Sequence, residues 1–215
     1  MPKTKYYIYG AGGFGRSALP ILKETVKDFN SIFFIDDYSN VKYCNKIKVI
    51  RPKKLNLNLE NDKIFIAISS IDIRRSIVRK NKLLLKRKHN LISQKSLIFD
   101  DFQIGNGNII SPFCTIGSNV KIGNFVHVNL YSYIEHDCVV GNFVTLSPGV
   151  KCNGNVIIED NVFIGSGAII GNGTSERPVT IGKGSVIGAG AVVLKNLPKN
   201  SKIIALPPKK ISYSI

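Results

Sequence analysis

The sequence predicts a two-part chain: a small α/β unit built on a parallel sheet, then a solenoid of short stacked strands. Three observations predict it. An aliphatic residue, once Cys152, recurs every six positions in unbroken register from Ile104 to Ile170, and the pattern resumes at Ile181, Ile187 and Val193. Four places after it stands a small or β-branched residue, as at Val120, Val144, Val150, Val156, Val162 and Ala168. Ahead of residue 95, strand-like and helix-like segments alternate instead, the signature of helices packed on a parallel sheet. A strict short period means that each unit buries its apolar face only by stacking on neighbours.

In the first part, Tyr6–Tyr9 reads as a strand, and Gly10-Ala11-Gly12-Gly13-Phe14-Gly15 as the turn after it. A helix is expected from about Arg16 to Asp28, with Ala18, Leu22 and Val26 on one face. Ile32–Ile35 is a second strand ending at Asp36-Asp37, and 63–68 a third ending at Ser69-Ser70. A second helix starts near Asp72 and runs into a basic stretch, Arg79 to Lys88, with Ile77, Leu83 and Leu84 turned inward. The division falls at 1–95 and 96–215. Within the solenoid, residues 171–180 break the register and read as an exposed loop inserted at a corner. The tail from Pro198 leaves the repeat and caps the last coil.

The chain has 215 residues and a formal charge of +16, very unevenly spread. Residues 1–100 hold 21 Lys/Arg against 8 Asp/Glu, and residues 101–215 hold 9 against 6. A basic half attracts nucleic acid, anionic membranes or phosphorylated small molecules. Nucleic acid is disfavoured because the aromatic interleaving of a single-strand groove is missing. No segment approaches the roughly 20 apolar residues that a membrane span requires. No signal peptide is evident either, so the expectation is a soluble, cytoplasmic protein without membrane insertion. Cys44, Cys114, Cys138 and Cys152 lack zinc spacing, and the last three fall at inward places, so they read as core hydrophobes. No metal is expected.

Two constellations carry chemistry. Gly10, Gly12 and Gly15 have the spacing that lets a backbone approach a phosphate, and the acidic pair Asp36-Asp37 ends the next strand, where a ribose or base edge is read. This Rossmann-like unit is too short for a full doubly wound sheet, which favours one nucleotide over a dinucleotide. A nicotinamide-dependent reductase is disfavoured because no catalytic dyad accompanies the glycines. In the solenoid, three hexads make one coil, so residues eighteen apart stack about 4.8 Å apart. His136 is third in its hexad and points outward, away from inward Cys138, beside Asp137 and Glu135. Gly154 lies one rung above it, leaving open space and a backbone N–H suited to an oxyanion. His127 stacks on Thr145 and is expected to line the same cleft as an alternative base. His89, at the end of the basic helix, is expected to be solvated.

These residues resemble the hexapeptide-repeat sugar acetyltransferases, a family that includes bacillosamine-pathway N-acetyltransferases and the sialic acid O-acetyltransferase group. The resemblance spans both parts. It rests on Tyr-Ile-Tyr-Gly-Ala-Gly-Gly-Phe-Gly at 7–15, Phe-Ile-Asp-Asp at 34–37 and Phe-Ile-Ala-Ile at 65–68. It is strongest over Ile-Glu-His-Asp-Cys-Val-Val-Gly at 134–141 and Ser-Pro-Gly-Val-Lys-Cys-Asn-Gly-Asn-Val at 147–156. The resemblance implies a left-handed parallel β-helix, an exception to right-handed crossovers, assembled as a homotrimer with acetyl-CoA as cosubstrate between neighbours.

It also implies roles. His136 would be the general base and Asp137 its orienting acid. Gly154 would donate to the thioester carbonyl, and Ser166 and Ala189 would line the CoA arm. Gly12, Gly13, Phe14, Asp36, Asp37 and Ser69 would surround the nucleotide of a sugar substrate, with Asn129 near the sugar. The expected reaction is direct N-acetylation of a nucleotide-linked amino sugar, a UDP-4-amino-4,6-dideoxyhexose first among candidates. Sugar O-acetylation and a non-catalytic, nucleotide-sensing solenoid are the alternatives. The chain departs from relatives at Thr145, where a second histidine stands, at Phe14, at the inserted loop, and at the terminal Ala-Leu-Pro-Pro-Lys of 205–209.

Overall fold

The computed structural model describes residues 4–52, 61–80 and 89–205. The first part is a five-stranded sheet with α1 (Gly13–Thr25) and α2 (Ile71–Lys80) packed on it. Its strands are β1 (Tyr6–Tyr9), β2 (Ile32–Ile35), β3 (Tyr43–Cys44), β4 (Ile47–Ile50) and β5 (Lys63–Ile66), in the order β3-β4-β2-β1-β5. All pairs are parallel except the β3–β4 edge hairpin. That hairpin turns through Asn45 and Lys46, both at positive φ. The sequence reading missed it because its strands are short and partly exposed, without a clean apolar run.

Helix α1 begins three residues earlier than the pattern suggests. Gly12 and Gly13 start it, no side chain caps it, and Val26 closes it in an extended conformation. Asp28 then accepts the Asn30 N–H at 3.1 Å and starts a short 3₁₀ turn instead of ending the helix. Ala18, Leu22 and Val26 are buried as expected. Helix α2 is described to Lys80, and Ile77 is buried; Leu83, Leu84 and most of the basic run lie outside the described residues. His89 is half-buried, with its carbonyl accepting the Gly107 N–H, so the expected full solvation is not observed.

From Leu91 the chain winds as a left-handed parallel β-helix. Its three faces are stacks of two- and three-residue strands, running from Leu91–Ile92, Leu97–Ile98 and Gln103–Ile104 upward. Partners are eighteen residues apart, as in Thr115↔Tyr133 and His127↔Thr145. Above Val156 the partner is Val179, twenty-three residues on, so the inserted loop adds five residues to that coil. The aliphatic positions and the small positions four places later fill one continuous core column, including Cys114, Cys138 and Cys152. Lys202–Ile203 closes the last described coil on Val186–Ile187.

Most corners are turned by one residue at positive φ, falling three places after the aliphatic one: Asn119, Phe125, Tyr131, Asp137, Phe143, Gly149, Asn155, Asn161 and Gly167 among them. An aromatic residue in this conformation costs about 1–2 kcal/mol. Stacking between rungs offsets that cost, with centroids 5.2 Å apart for Phe113–Tyr131 and 5.1 Å for Phe125–Phe143. The two parts share apolar contacts. Leu91 and Ile109 join the α1 core, while Ile77 and Val78 of α2 pack on Phe125. Ser93 Oγ donates to Glu24 Oε1 at 2.9 Å beside the first contact.

Candidate active site

His136 sits just before the corner residue Asp137, whose φ of +58° swings its carboxylate back onto the ring. Nδ1 of His136 and Oδ2 of Asp137 are 2.8 Å apart. A carboxylate only accepts, so Nδ1 carries the proton and Nε2 keeps a free lone pair. Asn119, one rung below, donates Nδ2–H to the other Asp137 oxygen at 2.9 Å. The His136 side chain is 52% exposed. Its hydrogen bond to Asp137 raises its pKa above the ordinary histidine value, outweighing the opposing effect of burial, with the Asp137 and Glu135 charges adding to the rise. The same bond holds Asp137 below the usual carboxylate range, helped by Asn119.

Gly154 lies on the rung above, directly against the ring. A Cβ built there would stand 2.6 Å from both Cε1 and Nε2 of His136, so any larger residue displaces the imidazole. Among the described residues no carbonyl accepts the Gly154 N–H, while its own carbonyl accepts the Gly173 N–H at 3.0 Å. The inserted loop therefore springs from the rung above Gly154, at the His136 corner, with Ser175 to Arg177 exposed. Cys138 faces inward, fully buried, and hydrogen-bonds the Asn153 carbonyl at 3.1 Å, which leaves no thiol beside His136.

A second corner carries an open cleft of about 650 Å³, lined by Phe14 and Ser69 of the first part and Asn129, Thr145 and Pro148 of the solenoid. Asn129 is anchored through Nδ2 to the Leu146 carbonyl at 2.7 Å. Pro112, Leu130 and Pro148 stack on this corner, and Ser166 and Ala189 continue the column, both exposed. Beside them the corner residues change from Phe113 and Tyr131 to Gly149, Gly167 and Gly190, the last two with no atom within 4 Å of a built Cβ. The result is a strip of bare backbone leading away from the cavity.

The nucleotide-loop residues separate into two groups. Gly12 and Gly13 are open, with nothing within 4 Å of a built Cβ, whereas one at Gly15 would collide with the Gly10 carbonyl. Asp36 is turned to the protein itself, accepting from the N–H groups of Ala11, Tyr38 and Ser39 at 2.9, 2.9 and 2.8 Å. Burial raises its pKa, but these three donors outweigh burial and the net shift is downward. Asp37 is exposed and accepts the Tyr9 hydroxyl at 2.8 Å. Thus Phe14, Ser69 and Asn129 share one cavity, and Gly12 and Gly13 lie beside Phe14. His136, Asp137 and Gly154 stand six residues on from the Asn129 corner, at the next edge of the prism, and do not line that cavity.

His127 is not a spare base. It is 0% exposed, with Nδ1 3.1 Å from Arg74 Nη1 and Nε2 2.9 Å from the Ile66 carbonyl. Arginine only donates, so Nδ1 is the bare nitrogen and its lone pair is occupied. Burial, then the neighbouring Arg74 charge, hold its pKa well below 6.5. Phe14 covers the ring at a centroid distance of 4.6 Å. Arg74 and Asn119 were both missed in the sequence. Arg74 shares a helical face with Ile77 and Val78, and Asn119 lies eighteen residues before Asp137, so either spacing could have exposed them.

A left-handed β-helix with an exposed, carboxylate-backed imidazole over a bare glycine, joined to a glycine-turn α/β unit, defines a hexapeptide-repeat acyltransferase. The comparisons agree. Residues 5–81 match the PglD N-terminal domain, residues 95–129 the bacterial transferase hexapeptide (six repeats), and residues 155–195 the hexapeptide repeat of succinyl-transferase. The chain is 40% identical over 189 residues to GDP-perosamine N-acetyltransferase of Escherichia coli O157:H7, covering 81% of each. WeeI from Acinetobacter baumannii AYE is 36% identical with a TM-score of 0.85, over 94% of this chain and 97% of that one. The acetyltransferase domain of PglB from Neisseria gonorrhoeae FA1090, solved with acetyl coenzyme A, is 27% identical with a TM-score of 0.82, over 96% and 98%. The chain belongs to the hexapeptide-repeat sugar acetyltransferases.

Proposed function

We propose that this chain transfers the acetyl group of acetyl-CoA to the amine of a nucleotide-linked 4-amino-4,6-dideoxyhexose. The observation that carries the reading is the His136–Asp137 pair poised over Gly154, whose N–H is free. The amine nitrogen attacks the thioester carbonyl, Nε2 of His136 takes the ammonium proton as the C–N bond forms, and the Gly154 N–H holds the developing oxyanion. Collapse breaks the C–S bond, and the departing CoA thiolate takes the proton that His136 held, leaving as the free thiol with His136 neutral again. No acyl-enzyme is required, because the nearest thiol, Cys138, is buried and turned inward.

Residues 1–95 bind the nucleotide sugar in this reading, and residues 96–215 bind acetyl-CoA and catalyse. Gly12, Gly13 and the uncapped start of α1 suit a diphosphate, since helix N-termini favour anions. Phe14, Ser69 and Asn129 line the cavity beside it, and Asp36 acts by holding the loop while Asp37 reaches the nucleoside. The bare strip along Gly149, Gly167 and Gly190, flanked by Ser166 and Ala189, suits the thin pantetheine arm. His136 and the cavity occupy different corners, which supports a homotrimer in which one chain's His136 meets its neighbour's cavity. Among the described residues no helix is long and apolar enough to cross a membrane, and a cytoplasmic enzyme drawing on soluble acetyl-CoA fits this reading.

Uridine diphosphate is the first expectation from resemblance, but the 40%-identical relative is named for a GDP sugar, which moves guanosine diphosphate to the front. The test is a panel of GDP-, UDP- and dTDP-linked 4-amino sugars with acetyl-CoA, following thiol release. Turnover on a 4-amino sugar and none on its 4-hydroxy counterpart supports the reading. Preference for the hydroxyl makes the chain an O-acetyltransferase, and failure to bind acetyl-CoA at all removes the enzyme.

A further inference from the structure

Behind the cavity wall lies a cation that no carboxylate among the described residues meets. Arg74 of α2 is 0% exposed, yet all its acceptors among the described residues are uncharged. Nη1 reaches the Ile68 carbonyl at 2.8 Å, the Ser69 carbonyl at 3.3 Å and His127 Nδ1 at 3.1 Å. Nη2 donates to the Phe143 carbonyl at 3.1 Å and to Thr145 Oγ1 at 2.9 Å, while Nε is buried without a partner. Buried charges are ordinarily paired, because desolvation costs several kcal/mol for each ion. Here one guanidinium instead grips both halves of the molecule, and two of the groups it holds, Ser69 and Thr145, face the cavity.

The consequence for Thr145 is specific. Its oxygen already accepts from a cation, and no described group accepts its hydroxyl proton. A hydroxyl polarised in this way is a stronger donor and cannot readily accept a second hydrogen bond from the same side. Its proton has the cavity to turn into.

We propose that Arg74 is a positioning residue that fixes Thr145 as a hydrogen-bond donor to an oxygen atom of the ligand filling this cavity. The inference rests on the cavity being a ligand site, as the proposed function requires. The acceptor is either a sugar or phosphate oxygen of the nucleotide sugar or the carbonyl oxygen of the thioester, and the two ligands are titrated separately to tell them apart.

The experiment is calorimetric titration of GDP- and UDP-linked 4-amino sugars and of acetyl-CoA into the full-length wild type, Thr145→Val, Thr145→Ser, Arg74→Lys and Arg74→Lys/Thr145→Val, with turnover in parallel. Thr145→Val keeps the volume and removes the donor, so it weakens one of the ligands about tenfold, the loss of one hydrogen bond. Thr145→Ser restores binding to within about twofold. Arg74→Lys weakens the same ligand in the Thr145 background and adds almost nothing once Thr145 is Val. Val binding every ligand as tightly as wild type overturns the proposal, as does an Arg74→Lys effect that persists undiminished in the Val background. If Arg74→Lys does not fold, Arg74→Gln takes its place in the same cycle, with the same two results expected and the same two overturning the proposal. Binding that Thr145→Val weakens but that leads to no acetyl transfer sinks the proposed reaction and leaves this inference standing. Acetyl transfer by a Thr145→Val variant that binds every ligand as tightly as wild type does the reverse.

Discussion

Two histidines nine residues apart on the same coil have opposite environments. His136 stands at a corner with half its surface in water, paired to a carboxylate and holding Nε2 free. His127 lies in the middle of a face, sealed by Phe14 and the first domain, with both nitrogens engaged and a cation at its bare one. Their pKa values move in opposite directions for the corresponding reasons: a facing carboxylate favours the imidazolium, while burial beside a guanidinium forbids it. A β-helix projects side chains outward at its corners without disturbing its core, so chemistry collects there. The flat faces are where the first domain docks, and polar residues on them become fastenings.

Breaking the corner has the largest effect. His136→Ala lowers kcat by about 10²–10⁴, the usual contribution of a placed general base, without changing thermal stability. Gly154→Ala comes next. The added Cβ meets only the far end of the His136 side chain, so the fold survives while the imidazole is displaced. A loss of about 10²-fold follows, comparable to a misplaced catalytic group, and steady-state kinetics beside a melting curve checks it.

Asp137→Asn is smaller, about tenfold in kcat, with a diagnostic change in pH dependence. Activity needs neutral His136, so kcat/KM falls as pH drops through its raised pKa. Removing the carboxylate lowers that pKa, and the acid limb of the profile moves to lower pH. The smallest effect on chemistry belongs to His127→Gln, which leaves the rate unchanged once substrate is saturating but loosens the domain contact by about 1–3 kcal/mol. In the wild type, the unfolded chain takes up a proton below about pH 6.5 that folded His127 refuses, so stability drains away as pH falls. The His127→Gln variant lacks that component, and denaturant melts at pH 7.5 and 5.5 distinguish the two chains.

The coil and its outward histidine were legible because the hexad is rigid: eighteen residues always make one turn, so His136 over Gly154 followed from counting. Asn119 obeys the same count and went unread only because asparagines are common at these corners. Counting says nothing about what docks on a face. His127 and Thr145 were correctly stacked, yet the sequence could not show that Arg74, fifty-three residues earlier, reaches between them. Arg74 stands at the start of a helix that leads into a basic run, and its helical phase with Ile77 and Val78 was outweighed by its charge. The open glycines of the turn were legible, while the inward use of Asp36 depends on a loop conformation that an acidic pair does not encode.

The claim on which the account depends is that one chain's corner completes another chain's cavity, and mixing two disabled variants tests it most directly. Ser69→Trp fills the cavity but keeps His136; His136→Ala removes the base but keeps the cavity. Each alone is nearly inactive toward the 4-amino sugar nucleotide. Unfolded together and refolded as mixed trimers, they regain about a quarter of the wild-type activity, the share of junctions where both intact halves meet. Mixed trimers no more active than the separate variants would contradict the account, since the site would then lie within a single chain.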